Sequence, residues 1–125
     1  MQFSVTTDHL DSHLVLGVHG DIDLATSPAL REYLLGATTQ QRPIVADLSA
    51  VGFMDATGLS ALCDAYDRAA HLGGSLLVAA PQRMVRRILA ITELDQCLPI
   101  YATVREAVKQ ASTARAHPFA GAAAG

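Results

Sequence analysis

A short run of acidic and hydroxyl residues at positions 53–60 carries the side chains best suited to chemistry or recognition. The carboxylate of Asp55 is followed by the hydroxyl of Thr57, then by Gly58 and Ser60. A hydroxyl at the start of a helix can cap that helix, or it can carry a phosphoryl group beside unpaired backbone N–H groups. The pattern predicts a protein-binding surface rather than a reaction site.

Three further acidic residues, Asp21, Asp23 and Asp47, lie at or near the ends of apolar segments. With Asp55 they could form a magnesium site like that of response-regulator receivers. Receivers, however, lack an initial hairpin and use a lysine after the last strand, whereas the single lysine here is Lys109. We therefore predict no metal site, and we expect Asp47 to accept hydrogen bonds from nearby backbone N–H groups. Asp21 and Asp23 are interpreted either as a partner contact, which we favour, or as a solvated turn.

Enzyme motifs are absent from the sequence. It contains no Gly-x-Ser-x-Gly, no Gly-x-x-x-x-Gly-Lys and no Cys-x-x-Cys, and its five histidines lack ligand spacing. We therefore predict no catalytic residue and no cofactor. Two cysteines, Cys63 and Cys97, are too few for a disulfide scaffold, and a redox link between them stays open.

Composition limits the classes of partner. Half of the 125 residues are hydrophobic, 17% are charged, and the formal net charge is −3. Without a positive field, direct binding to nucleic acid or to an anionic membrane is not expected. The apolar runs are too short for membrane insertion, and the first residues lack the pattern of a signal peptide. A single cytoplasmic domain is predicted.

The order of predicted elements positions these residues. Alternating apolar residues near the N-terminus predict an antiparallel hairpin, and the continuous apolar runs 44–48 and 76–80 predict strands covered on both faces. Helical patterns fill the gaps, with one helix starting near Thr57. The fold class is therefore α/β, a mixed sheet of about five strands with a parallel core, an N-terminal hairpin and four helices. We place the domain at residues 1–110 and a flexible Ala/Gly-rich tail at 111–125.

The segment 53–59 resembles the signature of bacterial anti-sigma factor antagonists, which are STAS domains. The run 20–24, Gly-Asp-Ile-Asp-Leu, resembles the loop after the second strand of that family, and residues 87–101 resemble its third helix and last strand. The resemblance covers roughly residues 3 to 110. Four matching pieces in the right order identify the chain as a member of this family.

The resemblance implies a non-enzymatic regulator. Such a protein binds an anti-sigma factor that is also a serine/threonine kinase, and the sigma factor is thereby released. The kinase switches the antagonist off by phosphorylating a hydroxyl at the start of the second helix. The resemblance places partner contacts at Asp21, Asp23, Asp55, Ala56, Thr57, Gly58 and Ser60. We further expect Gly58 to let a partner backbone approach closely.

One departure from the family pattern affects the switch. The usual phosphoacceptor directly follows the aspartate, and here that position holds Ala56, which has no hydroxyl. Either Thr57 accepts the phosphate, or the protein is not switched at this site. A simpler interpretation is that Thr57 only caps the helix. Ser60, one turn further on, is a weaker candidate.

A second class of function also fits a STAS domain. Domains of this type occur attached to anion transporters and beside lipid-transport ATPases. Because this sequence has no membrane segment, such a role would make it an accessory subunit of a transport complex. Capture of an anti-sigma kinase or of a transporter ATPase would distinguish the two functions.

Overall fold

The computed structural model describes residues 2–10 and 12–116, with side chains described as far as residue 111. The elements, in chain order, are β1 (Ser4–His9), β2 (Leu14–His19), α1 (Ser27–Thr38), β3 (Pro43–Ala50), α2 (Ala56–His71), β4 (Ser75–Ala79), α3 (Arg83–Ile91), a short 3-10 turn (Leu94–Gln96), β5 (Ile100–Tyr101) and α4 (Val104–Ala116). The predicted hairpin, parallel core and four helices are all confirmed.

The five strands form one mixed sheet in the order β1-β2-β3-β4-β5. β1 pairs with β2 in antiparallel fashion, and the remaining pairs are parallel. Because β2, β3, β4 and β5 run in the same direction, their carboxyl ends lie along one edge of the sheet. The loops that lead into α1, α2, α3 and α4 start at that edge, which is where α/β sheets usually place their binding sites.

The strand residues alternate between two hydrophobic layers. Ile44, Ala46 and Leu48 of β3 belong to the larger core, which also contains buried residues of α1, α2 and α3. Val45 faces the opposite layer, where Ala107 of α4 packs. The continuous apolar run in β3 thus reflects a strand that is covered on both faces.

The buried face of α2 contains small residues as well as leucines. Ala61, Ala65 and Ala69 are buried together with Leu62, whereas Tyr66 is only half-buried. Leu59 is buried as well, so the buried face combines two leucines with three alanines, whose small side chains let the helix approach its neighbours closely. Gly73, with a φ of 87°, follows the end of this helix, a position where glycine is the common residue.

The C-terminal helix extends past the predicted domain boundary. α4 continues to Ala116, and Ala111 is fully buried in the smaller core. Thr103 caps this helix by accepting a hydrogen bond from the backbone N–H of Glu106, and its hydroxyl donates to the Glu106 carboxylate. Residues 117–125 lie outside the described residues, so the flexible tail stays a prediction. Over the described residues, no helix has the length and hydropathy needed to cross a membrane.

Candidate functional site

Two loops meet at the carboxyl edge of the sheet and are joined through their backbones. The N–H of Ile22, after β2, donates to the carbonyl of Phe53, after β3, at 2.8 Å. The carbonyl of Ile22 in turn accepts from the N–H of Asp55 at 3.1 Å. This pairing continues β2 and β3 past their formal ends, and it brings the acidic residues of the first loop beside the start of α2.

Asp55 is the N-cap of α2. Its backbone is extended, with φ −101° and ψ −172°, and its Oδ1 accepts hydrogen bonds from the N–H groups of Thr57 at 2.9 Å and Gly58 at 3.4 Å. The hydroxyl of Thr57 also donates to Oδ1. The hydrogen bond from that hydroxyl is the main reason why the pKa of the Asp55 carboxyl lies below its ordinary value of 3.8. Desolvation partly offsets this effect, and the hydrogen bonds from the two N–H groups add to it. The interpretation of Thr57 as the cap is therefore wrong, because Thr57 donates to the cap.

Ala56, Thr57 and Ser60 line a surface cleft of about 370 Å³ between the starts of α1 and α2. Ala56 and Ser60 are exposed, and Thr57 is half-buried. The α1 side of the cleft includes Arg31. The hydroxyls predicted as phosphoacceptors thus share one cleft with an arginine that the sequence analysis did not single out.

Gly58 faces inward and is buried. A Cβ at this position would lie 2.6 Å from Cγ of Met54 and 2.7 Å from Cγ2 of Ile22, and both of those residues are fully buried. The expectation that Gly58 lets a partner backbone approach is therefore wrong. Its missing side chain lets the start of α2 pack against the two joined loops.

Asp21 and Asp23 have different environments, although they lie two residues apart. Oδ1 of Asp23 accepts hydrogen bonds from the N–H groups of Ala25 at 2.9 Å and Thr26 at 3.2 Å, and from the Thr26 hydroxyl. Asp21 is exposed, and its carboxylate makes no hydrogen bond or ion pair within the described residues. Asp23 thus holds the turn before α1, and Asp21 is the carboxylate of this loop that is free to contact a partner.

Two exposed apolar side chains lie in the joined loops and were missed by the sequence analysis. Leu24 is 76% exposed and Phe53 is 38% exposed. Their positions just after predicted strands, in loops rather than in a periodic pattern, were the available signal. Together with Asp21 they give this edge the mixture of apolar and charged groups that is typical of protein interfaces.

The other residues that the sequence analysis considered for chemistry are a possible metal cluster, Asp47 and the two cysteines. Within the described part of the chain, no group of three or more His, Cys, Asp or Glu side chains could hold a metal ion. Asp47 accepts a hydrogen bond from the N–H of Ser49 at 2.9 Å, as predicted. Cys63 is half-buried, Cys97 is exposed, and both are free thiols.

Comparisons with known proteins agree with the fold. The family model described as STAS domain matches residues 4–107. The chain is 31% identical over 109 residues to the anti-sigma-F factor antagonist RsfB of Mycobacterium tuberculosis, a match that covers 84% of this chain and 86% of that protein. It is 28% identical over 102 residues to the anti-sigma-B factor antagonist of Bacillus subtilis, covering 82% and 94%. The crystal structure of an anti-sigma factor antagonist from Mycobacterium paratuberculosis superposes with a TM-score of 0.82 at 29% identity, covering 89% and 95%.

Proposed function

This chain belongs to the STAS domain family, and we propose that it is an anti-sigma factor antagonist. In this function it binds an anti-sigma factor of the serine/threonine kinase type in the cytoplasm, and the sigma factor is released. The proposal is supported above all by the pairing of the two loops at the carboxyl edge, which brings the exposed Asp21 and Phe53 beside the half-buried Asp55. The relatives named as anti-sigma factor antagonists match over nearly their whole length.

We call the surface formed by Asp21, Leu24, Phe53 and Asp55 the binding edge. It combines apolar side chains with a free carboxylate beside them. Leu24 and Phe53 supply apolar area, and Asp21 supplies a carboxylate that is not committed to the fold. Large apolar side chains carry much of the energy of an interface, while exposed charges mainly steer and align the partners. The complementary surface on the anti-sigma factor is therefore expected to offer an apolar pocket next to a lysine or arginine.

Phosphorylation of Thr57 is the proposed off switch. The bond between Oγ1 of Thr57 and the γ-phosphorus of ATP forms, the bond from that phosphorus to ADP breaks, and a base of the kinase takes the hydroxyl proton. The product loses the hydrogen bond from Thr57 to Asp55. It also places about −1.5 to −2 charges beside an acidic binding edge. Both effects oppose a partner that is complementary to the unmodified edge.

The test begins with capture of partners from a lysate of the source organism and purification of any anti-sigma kinase found. Binding is then measured by isothermal titration calorimetry for the wild type, Asp21→Lys and Asp8→Lys. Asp8 is an exposed residue of β1, beside the amino-terminal end of β2, so its variant carries the same charge change at the opposite edge. We expect Asp21→Lys to weaken binding at least about tenfold and Asp8→Lys to bind like the wild type.

Equal affinities of the two lysine variants would show that the proposed binding edge is wrong. Capture of a transporter ATPase instead of an anti-sigma kinase would favour the accessory-subunit function. For the switch, the purified kinase and ATP are incubated with wild type and with Thr57→Val, followed by mass spectrometry of residues 55–60. Modification that persists in Thr57→Val, or no modification of either protein, would contradict Thr57 as the acceptor.

A further inference from the structure

Arg31 of α1 lies between two clefts on the face of the sheet that α1 and α2 cover. Together with Thr57 and Ser60 it lines the cleft at the starts of α1 and α2. Together with Asp64 and Asp67 it lines a second cleft, of about 470 Å³, further along the same helix pair. One side chain therefore borders both clefts, and a change in its pairing changes both.

In the unmodified protein the guanidinium is directed toward the second cleft. Nη1 of Arg31 donates to Oδ2 of Asp64 in an ion pair between the two helices. The side chains are 46% and 42% exposed, respectively. A half-exposed pair of this kind is screened by water and contributes little to stability, so a stronger anion nearby can replace Asp64.

The first cleft is suited to such an anion. Its described lining consists of hydroxyl, apolar and proline side chains, and Arg31 is the one charged residue among them. No carboxylate of the described residues lines this cleft, but Asp55 beside it accepts a hydrogen bond from the Thr57 hydroxyl. An anion on Thr57 would therefore lie next to a carboxylate, and Arg31 is the cation of the cleft that can offset both charges. The cleft also contains the acceptor hydroxyl of the proposed switch, that of Thr57.

We propose that Arg31 binds the phosphoryl group of phosphorylated Thr57. Its guanidinium group then breaks the ion pair with Asp64 and pairs with the phosphate instead. This inference rests on the proposed function only for the origin of the phosphate. A phosphate carries about −1.5 to −2 charges and three acceptor oxygens, against one charge on a carboxylate. The planar guanidinium can donate two parallel hydrogen bonds to it, which favours the phosphate over Asp64.

Because Arg31 leaves Asp64, phosphorylation in the first cleft also changes the charge of the second cleft. Once Arg31 has moved, Asp64 and Asp67 no longer have that cation beside them, and Arg68 and His71 are the remaining basic residues of the second cleft. The second cleft becomes more acidic. Phosphorylation would then change the surface of the α1–α2 helix pair as well as the binding edge.

The test uses full-length protein in which phosphothreonine is introduced at position 57 by genetic encoding, so that no kinase is needed. The second pKa of the phosphate is measured by phosphorus NMR titration in the wild-type background and in Arg31→Gln, Arg31→Lys and Arg68→Gln. Arg68 is an exposed arginine that lines the second cleft but not the first, which makes it the matched control. Unphosphorylated Arg31→Gln, examined by circular dichroism, checks that the fold is retained.

We expect Arg31→Gln to raise the phosphate pKa by about 0.5, a threefold change in the ionisation constant, because the cation that favours the dianion is lost. Arg31→Lys should give a smaller rise, and Arg68→Gln should leave the value unchanged. Equal phosphate pKa values in the wild type and Arg31→Gln would overturn the inference, even if a kinase does modify Thr57. Conversely, a phosphate that pairs with Arg31 in a protein that the kinase fails to modify would support the inference and refute the proposed switch.

Discussion

Replacing Gly58 by alanine gives a direct test of how the binding edge is built. The added Cβ would lie 2.6 Å from Cγ of Met54 and 2.7 Å from Cγ2 of Ile22, both in the fully buried core. Alanine in place of a helical glycine contributes about 0.5–1 kcal/mol of stability. Overpacking of a buried site costs about 1–3 kcal/mol, so we expect a net loss of about 1 kcal/mol in the free energy of unfolding.

Gly36 provides the matched control. It lies in α1, and a Cβ there would have nothing within 4 Å, so Gly36→Ala should stabilise the protein by about 0.5 kcal/mol. Both variants are compared with the wild type by urea unfolding followed by circular dichroism. Because the clash pushes the start of α2 away from the joined loops, Gly58→Ala should also weaken binding of the anti-sigma factor, whereas Gly36→Ala should not.

The Met54→Ala background isolates the steric term. Met54→Ala alone should cost about 2–5 kcal/mol through the cavity that it leaves, and in that background Gly58→Ala should cost less than it does in the wild type. If Gly58→Ala instead stabilises the wild type as Gly36→Ala does, then the packing of α2 against the loops does not depend on this glycine and the reasoning fails.

Three other perturbations follow from the described geometry. The Asp55 carboxylate contributes stability that is fully present above pH 3.8 and is lost as the pH falls through its lowered pKa, and Asp55→Asn should remove this contribution. Urea unfolding between about pH 2 and 6 should then show a free energy of unfolding that depends less on pH in the variant than in the wild type. Glu93→Gly should stabilise the protein by about 0.5–1 kcal/mol, because Glu93 has a φ of 62° just after α3. Gly73→Ala should destabilise it by about 1 kcal/mol, because Gly73 has a φ of 87° although the space around it is open. Thermal unfolding that orders the two variants oppositely would contradict this. Cys97 should react first with a thiol reagent at pH 8, because burial, followed by nearby acidic residues, raises the pKa of Cys63, and Cys97→Ser should leave only the slow phase.

The fold could be predicted from short-range patterns because most of its determinants are local. The apolar run of β3 indicates burial on both faces, and a threonine directly before an apolar helical pattern indicates the N-terminal cap that Thr103 provides. The buried face of α2 was less accessible, because alanine contributes little to a hydrophobic pattern even where it is fully buried. Only the neighbouring elements determine which side of that helix faces inward.

The roles of the site residues depended on contacts between distant parts of the chain. The importance of Gly58 comes from Ile22, which is brought beside Met54 by the bridge between the two loops. The ion pair of Arg31 with Asp64 likewise joins residues 33 positions apart. The family resemblance indicated where the surface lies. That Asp23 holds the turn while Asp21 is free to contact a partner could be learned only from the hydrogen bonds of this loop.

The backbone hydrogen bonds that join the two loops have a consequence for the kinetics of association. They fix the conformation of the edge before any partner arrives, so little chain entropy remains to be lost on contact. Recognition should then proceed as the docking of two rigid bodies, with nearly the same loop geometry in the free and bound states. For such an edge, substitutions at its centre should shorten the lifetime of the complex while leaving the rate of encounter nearly unchanged.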